Sequence, residues 1–286
     1  MKIRKAVIAV AGSGTRFLPA TKSQPKEMLP IVDKPIIQYV VEEMVASGIE
    51  DIILVTKWDK KTLEDHFDRS FELEHSLENA GKKKLLEDIR RISSMANFIY
   101  VRQKGPYGNG TPILSAASII KDEPFVFAWG DDLVLSKTPF TKHLIKNYEE
   151  HGAPVIGVQK VSKHLVSRYG IVKLKPRTRE MEFVIEKPSP EKAPSQLAQF
   201  GRMVLTPEIV KILQKTKLGK GNELWVTDAI SEYVKEGGRF MVEEVSDGKW
   251  LTTGDPLNYL IATVDYALER DDIGEDFRAY LKGLAL

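Results

Sequence analysis

KAVIAVAGSGTRFLPATKSQPKEMLPIVDKPIIQYVVEEMVASG, residues 5–48, runs from an unbroken apolar stretch through a glycine- and proline-punctuated loop into a helix-periodic segment. Residues 5–10 have the length and β-branched content of a buried strand. From Pro35 the pairs Ile36/Ile37, Val40/Val41 and Met44/Val45 recur every four residues, a buried helix stripe that Gly48 ends. Strand, polar loop and helix make the first unit of an α/β sheet, and the alternation continues outward. Residues 51–56 and 97–102 predict further strands. Residues 124–129 predict a central strand ending in Gly130-Asp131-Asp132, and 138–150 the helix after it. Between them, residues 60–94 are mostly charged with scattered Leu and Ile, which predicts exposed helices or a mobile flap. Beyond Pro154 the texture changes: 155–161, 170–174 and 181–185 read as strands joined partly as a hairpin, so the sheet is mixed and mainly parallel. The segment 256–270 carries Leu257, Leu260, Ile261, Val264 and Leu268 at helical spacing and is expected to close the core. No linker, repeat or low-complexity tract interrupts residues 1–286, which predicts a single domain.

Composition narrows the class. Hydrophobic residues are 42% of the 286, the share of an ordinary globular chain. Forty-two basic against forty acidic residues leave a formal charge of +2, so neither a nucleic acid nor an acidic membrane is called for as a partner. With no cysteine, disulfide scaffolds, thiolate metal sites and cysteine nucleophiles are excluded. The apolar run 5–10 is too short for a signal or membrane segment, and the expected location is the cytoplasm.

The loop after the first strand sits where open α/β sheets bind nucleotides. Gly12 and Gly14 let backbone N–H groups approach a phosphate, and Arg16, Lys22 and Lys26 supply cations for a triphosphate. The bland alternative, a tight turn followed by a solvated basic loop, has even standing for a bare GxG. A phosphate loop of the Walker A kind is excluded, because Gly12 leads to Phe17 and Leu18 rather than Gly-Lys-Ser/Thr. A dinucleotide fingerprint is excluded as well: Phe17 stands where a third small residue belongs, and Lys57 and Trp58 where an acid belongs. Asp131 ends a hydrophobic strand at the ligand-binding edge, where a carboxylate suits a hard cation. Lys187, in Val-Ile-Glu-Lys-Pro, projects an ammonium from a proline-fixed turn. A capping role for the aspartate and a surface ion pair for Glu186 and Lys187 are the alternatives when each is taken alone.

Taken together these segments resemble the nucleotidyltransferases that activate sugar 1-phosphates, and KEMLPIVDKPIIQYVVEE (26–43) is similar to the bacterial-type UTP–glucose-1-phosphate uridylyltransferases. The resemblance continues in order through Arg102-Gln103, GNG (108–110), Asp131-Asp132, YGIV (169–172), EKP (186–188), FGRMVL (200–205) and ELWVTDAI (223–230). It implies a Rossmann-like sheet of the nucleotide-diphospho-sugar transferase type, with nucleotide bound by about residues 1–150 and sugar phosphate by about 151–286. It implies a homo-oligomer that takes UTP and glucose 1-phosphate with Mg2+ and forms UDP-glucose by in-line attack. The roles it implies are catalysis by Arg16, Lys26 and Lys187. Nucleotide contacts fall to Ala11, Gly12, Gly14, Thr15, Gln103, Gly108 and Gly110. Sugar contacts fall to Gly170, Glu186 and Lys187, and the metal to Asp131, with Asp132 less firmly placed. None of the histidines lies in a matching motif, and none is assigned to catalysis.

Two departures stand out. Thr111-Pro112 follows the second loop glycine where related uridylyltransferases usually have histidine, which leaves a dTTP-dependent thymidylyltransferase as the runner-up. A transferase of another base or sugar, or an inactive sugar-nucleotide-binding regulator, follows it. In WLTTGDPLNY (250–259) Thr252 replaces the family's second metal aspartate. Asp255 is then the nearest carboxylate, expected either to assist the metal weakly or to cap the helix opening at Pro256.

Overall fold

The computed structural model describes residues 2–284; residues 1, 285 and 286, the ends of the expected single domain, lie outside the described residues. In chain order the strands of the first half are β1 (Lys5–Ala9), β2 (Pro30–Ile31), β3 (Lys34–Pro35), β4 (Asp51–Thr56), β5 (Asn97–Arg102), β6 (Phe125–Trp129) and β7 (Asp132–Ser136). Those of the second are β8 (Val155–Lys160), β9 (Gly170–Leu174), β10 (Met181–Glu186), β11 (Leu197–Leu205), β12 (Met241–Glu244) and β13 (Gly248–Thr252). The helices are α1 (Ile36–Ala46), α2 (Lys61–Phe67), α3 (Phe71–Asn79), α4 (Lys83–Ser94), α5 (Thr111–Ile120), α6 (Phe140–His151), α7 (Pro207–Leu213), α8 (Val226–Lys235), α9 (Pro256–Leu268) and α10 (Gly274–Lys282).

β5, β4, β1 and β6 lie side by side and parallel, and the long β11 continues the sheet antiparallel to β6. β11 shifts register between Gln199 and Met203 and pairs β8 along that length, while its first residues also pair β9 of the β9–β10 hairpin. The chain leaves β1 toward β4 and β5 and returns on its other side as β6. The carboxyl ends of β1 and β6, with Ala9 beside Trp129, therefore flank the crossover point where α/β sheets open a crevice.

Period-two alternation divides the strands between two cores. Val7, Ile53, Val55, Phe125 and Phe127 face α5, α7 and α8, while Ala6, Ile8, Ile52, Leu54, Val126 and Ala128 face α1 and α6. Both faces are covered, which is why these strands read as continuous apolar runs. α1 buries Ile36, Ile37, Val40, Val41 and Met44. At about 1.5–3 kcal/mol each this face fixes the helix and the loop before it. Beneath the crossover the fully buried Arg202 of β11 pairs with Glu43 of α1 at 2.9 Å and donates to the carbonyl of Asp132 at 2.8 Å, tying helix, central strand and β7 together.

Residues 60–94 form α2, α3 and α4. α2 buries Leu63 and Phe67, with Phe67 stacked on Phe98 at 4.5 Å, and the buried Glu74 of α3 accepts from Arg69 and from Arg90 of α4. The expectation that α9 closes the core holds for Ala262, which is in the core, and for Tyr259 and Tyr266, which pack against it, but not for the leucine stripe. Leu257 and Leu260 are 67% and 59% exposed, Ile261 is exposed too, and only Ala262 and Ala267 of this helix are buried. The spacing fixed an apolar stripe, but its first half, Leu257, Leu260 and Ile261, turns outward, while Val264 and Leu268 are half-buried. Among the described residues no helix is long and apolar enough to cross a membrane.

Candidate active site

The loops after β1 and β6 meet at a cleft of about 330 Å³ lined by Ala11, Gly12, Lys26, Gln103, Gly108 and Asp131, with Trp225 and Glu223 from the second half. At its centre Lys26 Nζ lies 2.5 Å from Asp131 Oδ2. Burial pushes the Lys26 ammonium down, but Asp131, with Glu27 adding to it, outweighs burial and lifts it above the ordinary lysine value. Burial likewise pushes Asp131 up, and Lys26 more than reverses this, so both groups stay charged at neutral pH. Asp132 points the other way: its Oδ2 accepts from Gly201 N at 2.8 Å, and burial, then Asp131, push its carboxyl up to about 6. Only the first of the two aspartates faces the cleft.

Several expected residues owe their type to packing. A Cβ on Gly12 would stand 3.2 Å from Lys26 Cε, and Gly14 has φ +65° with its carbonyl held by Thr21 Oγ1 at 2.7 Å. Gly108 has φ +125°, and a Cβ there would be 2.2 Å from the carbonyl oxygen of Leu224. Gly110 N donates to that same oxygen at 2.9 Å, Leu224 N donates to Tyr107 O at 2.8 Å, and Asn109 Oδ1 accepts from Val226 N at 2.9 Å. The glycine loop is thus stitched onto the segment before α8, and Thr111 Oγ1 braces it from below on Pro106 O at 2.6 Å. Gly110 itself is buried and off the cleft lining.

Thr15 opens the short turn Thr15–Phe17, and Arg16 Nη1 donates to Gly254 O at 3.1 Å. Around Gly254 the second half closes on Asp131. Thr253 donates its N–H and its hydroxyl to the Asp131 carbonyl, both at 2.8 Å, and a Cβ on Gly254 would lie 3.4 Å from Thr252 Oγ1 and 3.5 Å from Asp131 Oδ2. The Thr252 hydroxyl accepts from Gly254 N at 3.3 Å. Asp255 takes the capping role of the two expected for it. Its Oδ1 accepts from Asn258 N at 3.1 Å, and its Oδ2 from Asn258 Nδ2 at 2.7 Å and Arg168 Nη2 at 2.5 Å. Both oxygens are thus engaged in the cap and the Arg168 pair. Among the described residues no three Asp, Glu or His side chains converge as a metal cage.

At the other end β9 and β10 place Gly170 directly opposite Glu186. The space that a Gly170 side chain would occupy is taken by Gln199, 2.5 Å away, so this glycine serves strand packing. Glu186 Oε2 accepts from Thr227 Oγ1 at 3.4 Å, and burial, only partly countered by Lys187, raises its pKa. Lys187 follows at φ +46°, with Nζ 4.6 Å from the ring centroid of Trp225 and 3.7 Å from Glu186 Oε1. Trp225, Leu224, Thr253 and Glu27 received no role from the sequence, although each lies in a motif segment: Glu27 in 26–43, Leu224 and Trp225 in 223–230, and Thr253 in 250–259.

A family model for nucleotidyl transferase matches residues 5–269. The chain belongs to the nucleotidyl transferase family. It is 45% identical over 284 residues to the UTP–glucose-1-phosphate uridylyltransferase YngB of Bacillus subtilis, covering 98% of this chain and 95% of that one. A UTP-bound UGPase from Acinetobacter baumannii matches with a TM-score of 0.90 at 39% identity over 99% of both chains. A UDP-glucose pyrophosphorylase complexed with UDP-glucose matches with a TM-score of 0.84 at 40% identity, over 94% of this chain and 100% of that one. The fold class and the family resemblance drawn from the sequence both hold.

Proposed function

We propose that this nucleotidyltransferase transfers the uridylyl group of UTP to glucose 1-phosphate, giving UDP-glucose and pyrophosphate. The observation that carries this reading is the Lys26–Asp131 pair at the β1/β6 crossover, in one cleft with Gly12 and Gln103 and reached from the second half by Trp225 and Lys187. The names of the relatives and the UTP and UDP-glucose bound by the similar structures support the substrates.

The reaction needs alignment and charge neutralisation more than a base, because a phosphate monoester with a second pKa of about 6 is largely dianionic at neutral pH. Its oxygen attacks the α-phosphorus of UTP in line; the new P–O bond forms as the bond to pyrophosphate breaks and pyrophosphate leaves with the electron pair. Lys187 holds the attacking phosphate, while Lys26 and Arg16 meet the charge on the triphosphate. Ala11, Gly12, Gly14 and Thr15 bring backbone to the nucleotide. Gln103, with one acceptor and two donors, reads the uracil edge beside Gly108. Glu186 accepts from sugar hydroxyls. The donor set fits Mg2+, which takes one or two carboxylates and completes its shell with phosphate oxygens and water: Asp131 would hold it. Bound there, the ion would neutralise phosphate charge.

In this reading residues 1–150 and 151–286 are the nucleotide and sugar-phosphate halves of one domain. The protein is a cytoplasmic homo-oligomer, with the Leu257, Leu260 and Ile261 stripe available for a subunit contact, and neither nucleic acid nor membrane is its partner. The test is pyrophosphate release with UTP, dTTP, ATP and GTP against several sugar 1-phosphates. UTP with glucose 1-phosphate should lead by about tenfold or more in kcat/KM. A lead for dTTP would hand the assignment to thymidylyl transfer, and UDP-glucose binding without turnover would make the protein a sensor.

A further inference from the structure

Lys60 and Glu27 are 2% and 1% exposed, and their charged atoms lie 2.8 Å apart. Two charges so removed from water gain little more from each other than their desolvation costs, and an apolar pair of similar volume is often at least as stable, so cohesion alone does not explain the pair. Their place indicates what is served. Glu27 follows Lys26 in the turn Lys26–Met28, which Met28 N→Pro25 O and Leu29 N→Lys26 O bonds close. Its Cγ stands 3.3 Å from where a Cβ on Gly130 would be, and its Oε1 3.9 Å from the same point on Gly12. The Glu27 side chain therefore lies between the two loops that carry Lys26 and Asp131. Lys60 reaches it from the N-terminus of α2, the first helix of the 61–94 insert.

The geometry points to Glu27 as a positioning residue for Lys26, with Lys60 of the helical insert as its buried counter-ion. Asp131 meets the Lys26 ammonium from one side. Glu27 adds a second carboxylate next to it in the chain, and this charge stays to hold the Lys26 ammonium in place when a phosphate arrives. Alone under a triphosphate, Glu27 would repel the substrate; Lys60 cancels that charge and, because it is rooted in the insert, locks the turn to a second element. This rests on Lys26 acting in the proposed uridylyl transfer.

The test compares wild type, Glu27→Gln, Lys60→Met and the double variant by thermal unfolding and by steady-state kinetics of UDP-glucose formation. Each single change leaves one buried charge unpaired and is expected to lower the unfolding midpoint by roughly 5–15 °C. The neutral double variant is expected to recover most of that loss while kcat stays about tenfold or more below wild type, with both KM values within about threefold. A double variant that regains kcat together with stability overturns the proposal, since a merely cohesive pair would do just that. Should the double variant not fold, Glu27→Asp decides: it keeps the charge, shortens its reach by one methylene, and is expected to lower kcat at unchanged KM, and wild-type kcat would overturn the proposal. Absence of uridylyl transfer in the wild type would instead dispose of the function on which the proposal rests.

Discussion

Lys187 is the residue at which stability and activity can be pulled apart. Its backbone sits at φ +46°, which costs a side-chain-bearing residue about 1–2 kcal/mol, so Lys187→Gly releases that strain. Against the gain stand the cation–π contact with Trp225, about 0.5–1 kcal/mol for a partly exposed ammonium, and the added freedom of glycine in the unfolded chain, about 0.5–1 kcal/mol. The Glu186 pair, at 3.7 Å with a side chain 38% exposed at Lys187, adds little. The terms nearly cancel, and Lys187→Gly should unfold within about 1 kcal/mol of wild type. Lys187→Ala loses the same contacts and keeps the strain, so it should be about 1 kcal/mol less stable than the glycine variant. Activity follows the charge alone. Deleting a group that stabilises the reacting phosphate should lower kcat/KM by about 10²–10³ in both variants. Urea unfolding and pyrophosphate release at varied glucose 1-phosphate measure the two quantities. A glycine variant less stable than the alanine variant would refute the strain argument, and either variant within about threefold of wild-type kcat/KM would take Lys187 out of the site.

Asp131→Asn keeps the shape but removes the cleft carboxylate that pairs with Lys26, and should abolish most magnesium-dependent turnover; an unchanged magnesium titration contradicts the assignment. Asp255→Asn should retain the Asn258 cap and leave the magnesium titration where it was, whereas Asp255→Ala should cost ~1 kcal/mol in denaturant unfolding. A magnesium requirement that rises steeply in the asparagine variant would make Asp255 a ligand. Glu74 has its carboxyl lowered from 4.5 to about 2, first by the Arg69 and Arg90 hydrogen bonds. A depressed carboxyl binds fewer protons when folded, so its stabilisation is complete above about pH 4.5 and is lost as pH falls toward 2. Glu74→Gln should therefore lower the thermal midpoint at pH 7, and a gap that fails to close between pH 4.5 and 2 would show that Glu74 acts without its charge.

Legibility of the sequence followed the range of the interactions. β4, β5 and β9 lie where strand periodicity and flanking breakers put them, and α1 where its four-residue repeat did, because each is set by neighbours in the chain and by apolar faces. The insert was half legible: its charged surface announced exposed helices, but one buried Phe67 stacked on Phe98 from β5 carries no periodic signal. In α9 the leucine spacing gave the stripe without its direction, which tertiary packing sets. In the site, glycines and cations in one loop announced phosphate chemistry. The glycines state only that a side chain is forbidden; that Leu224 fills the space at Gly108 and Gln199 the space at Gly170 depends on segments 116 and 29 residues away along the chain. Thr253 lies in WLTTGDPLNY (250–259), but its hold on the Asp131 carbonyl from across the fold is non-local and left no trace there.

The substrate-free site neutralises its own cations, and it does so unequally. Arg16 donates to the Gly254 carbonyl from an exposed position, and Lys187 rests on an aromatic face 3.7 Å from Glu186. Both partners are weak enough for an arriving phosphate to replace with little loss. Lys26 differs, since it is held at 2.5 Å from Asp131 with its side chain only 20% exposed and the Glu27 side chain between its loop and that of Asp131. A cation fixed before the substrate arrives need not be reorganised as charge develops at the α-phosphorus, and that is the condition under which an electrostatic contact lowers the barrier rather than merely tightening binding. In the proposed reaction Arg16 and Lys187 would exchange weak partners for phosphate, while Lys26, the least exposed of the three cations, would keep its place.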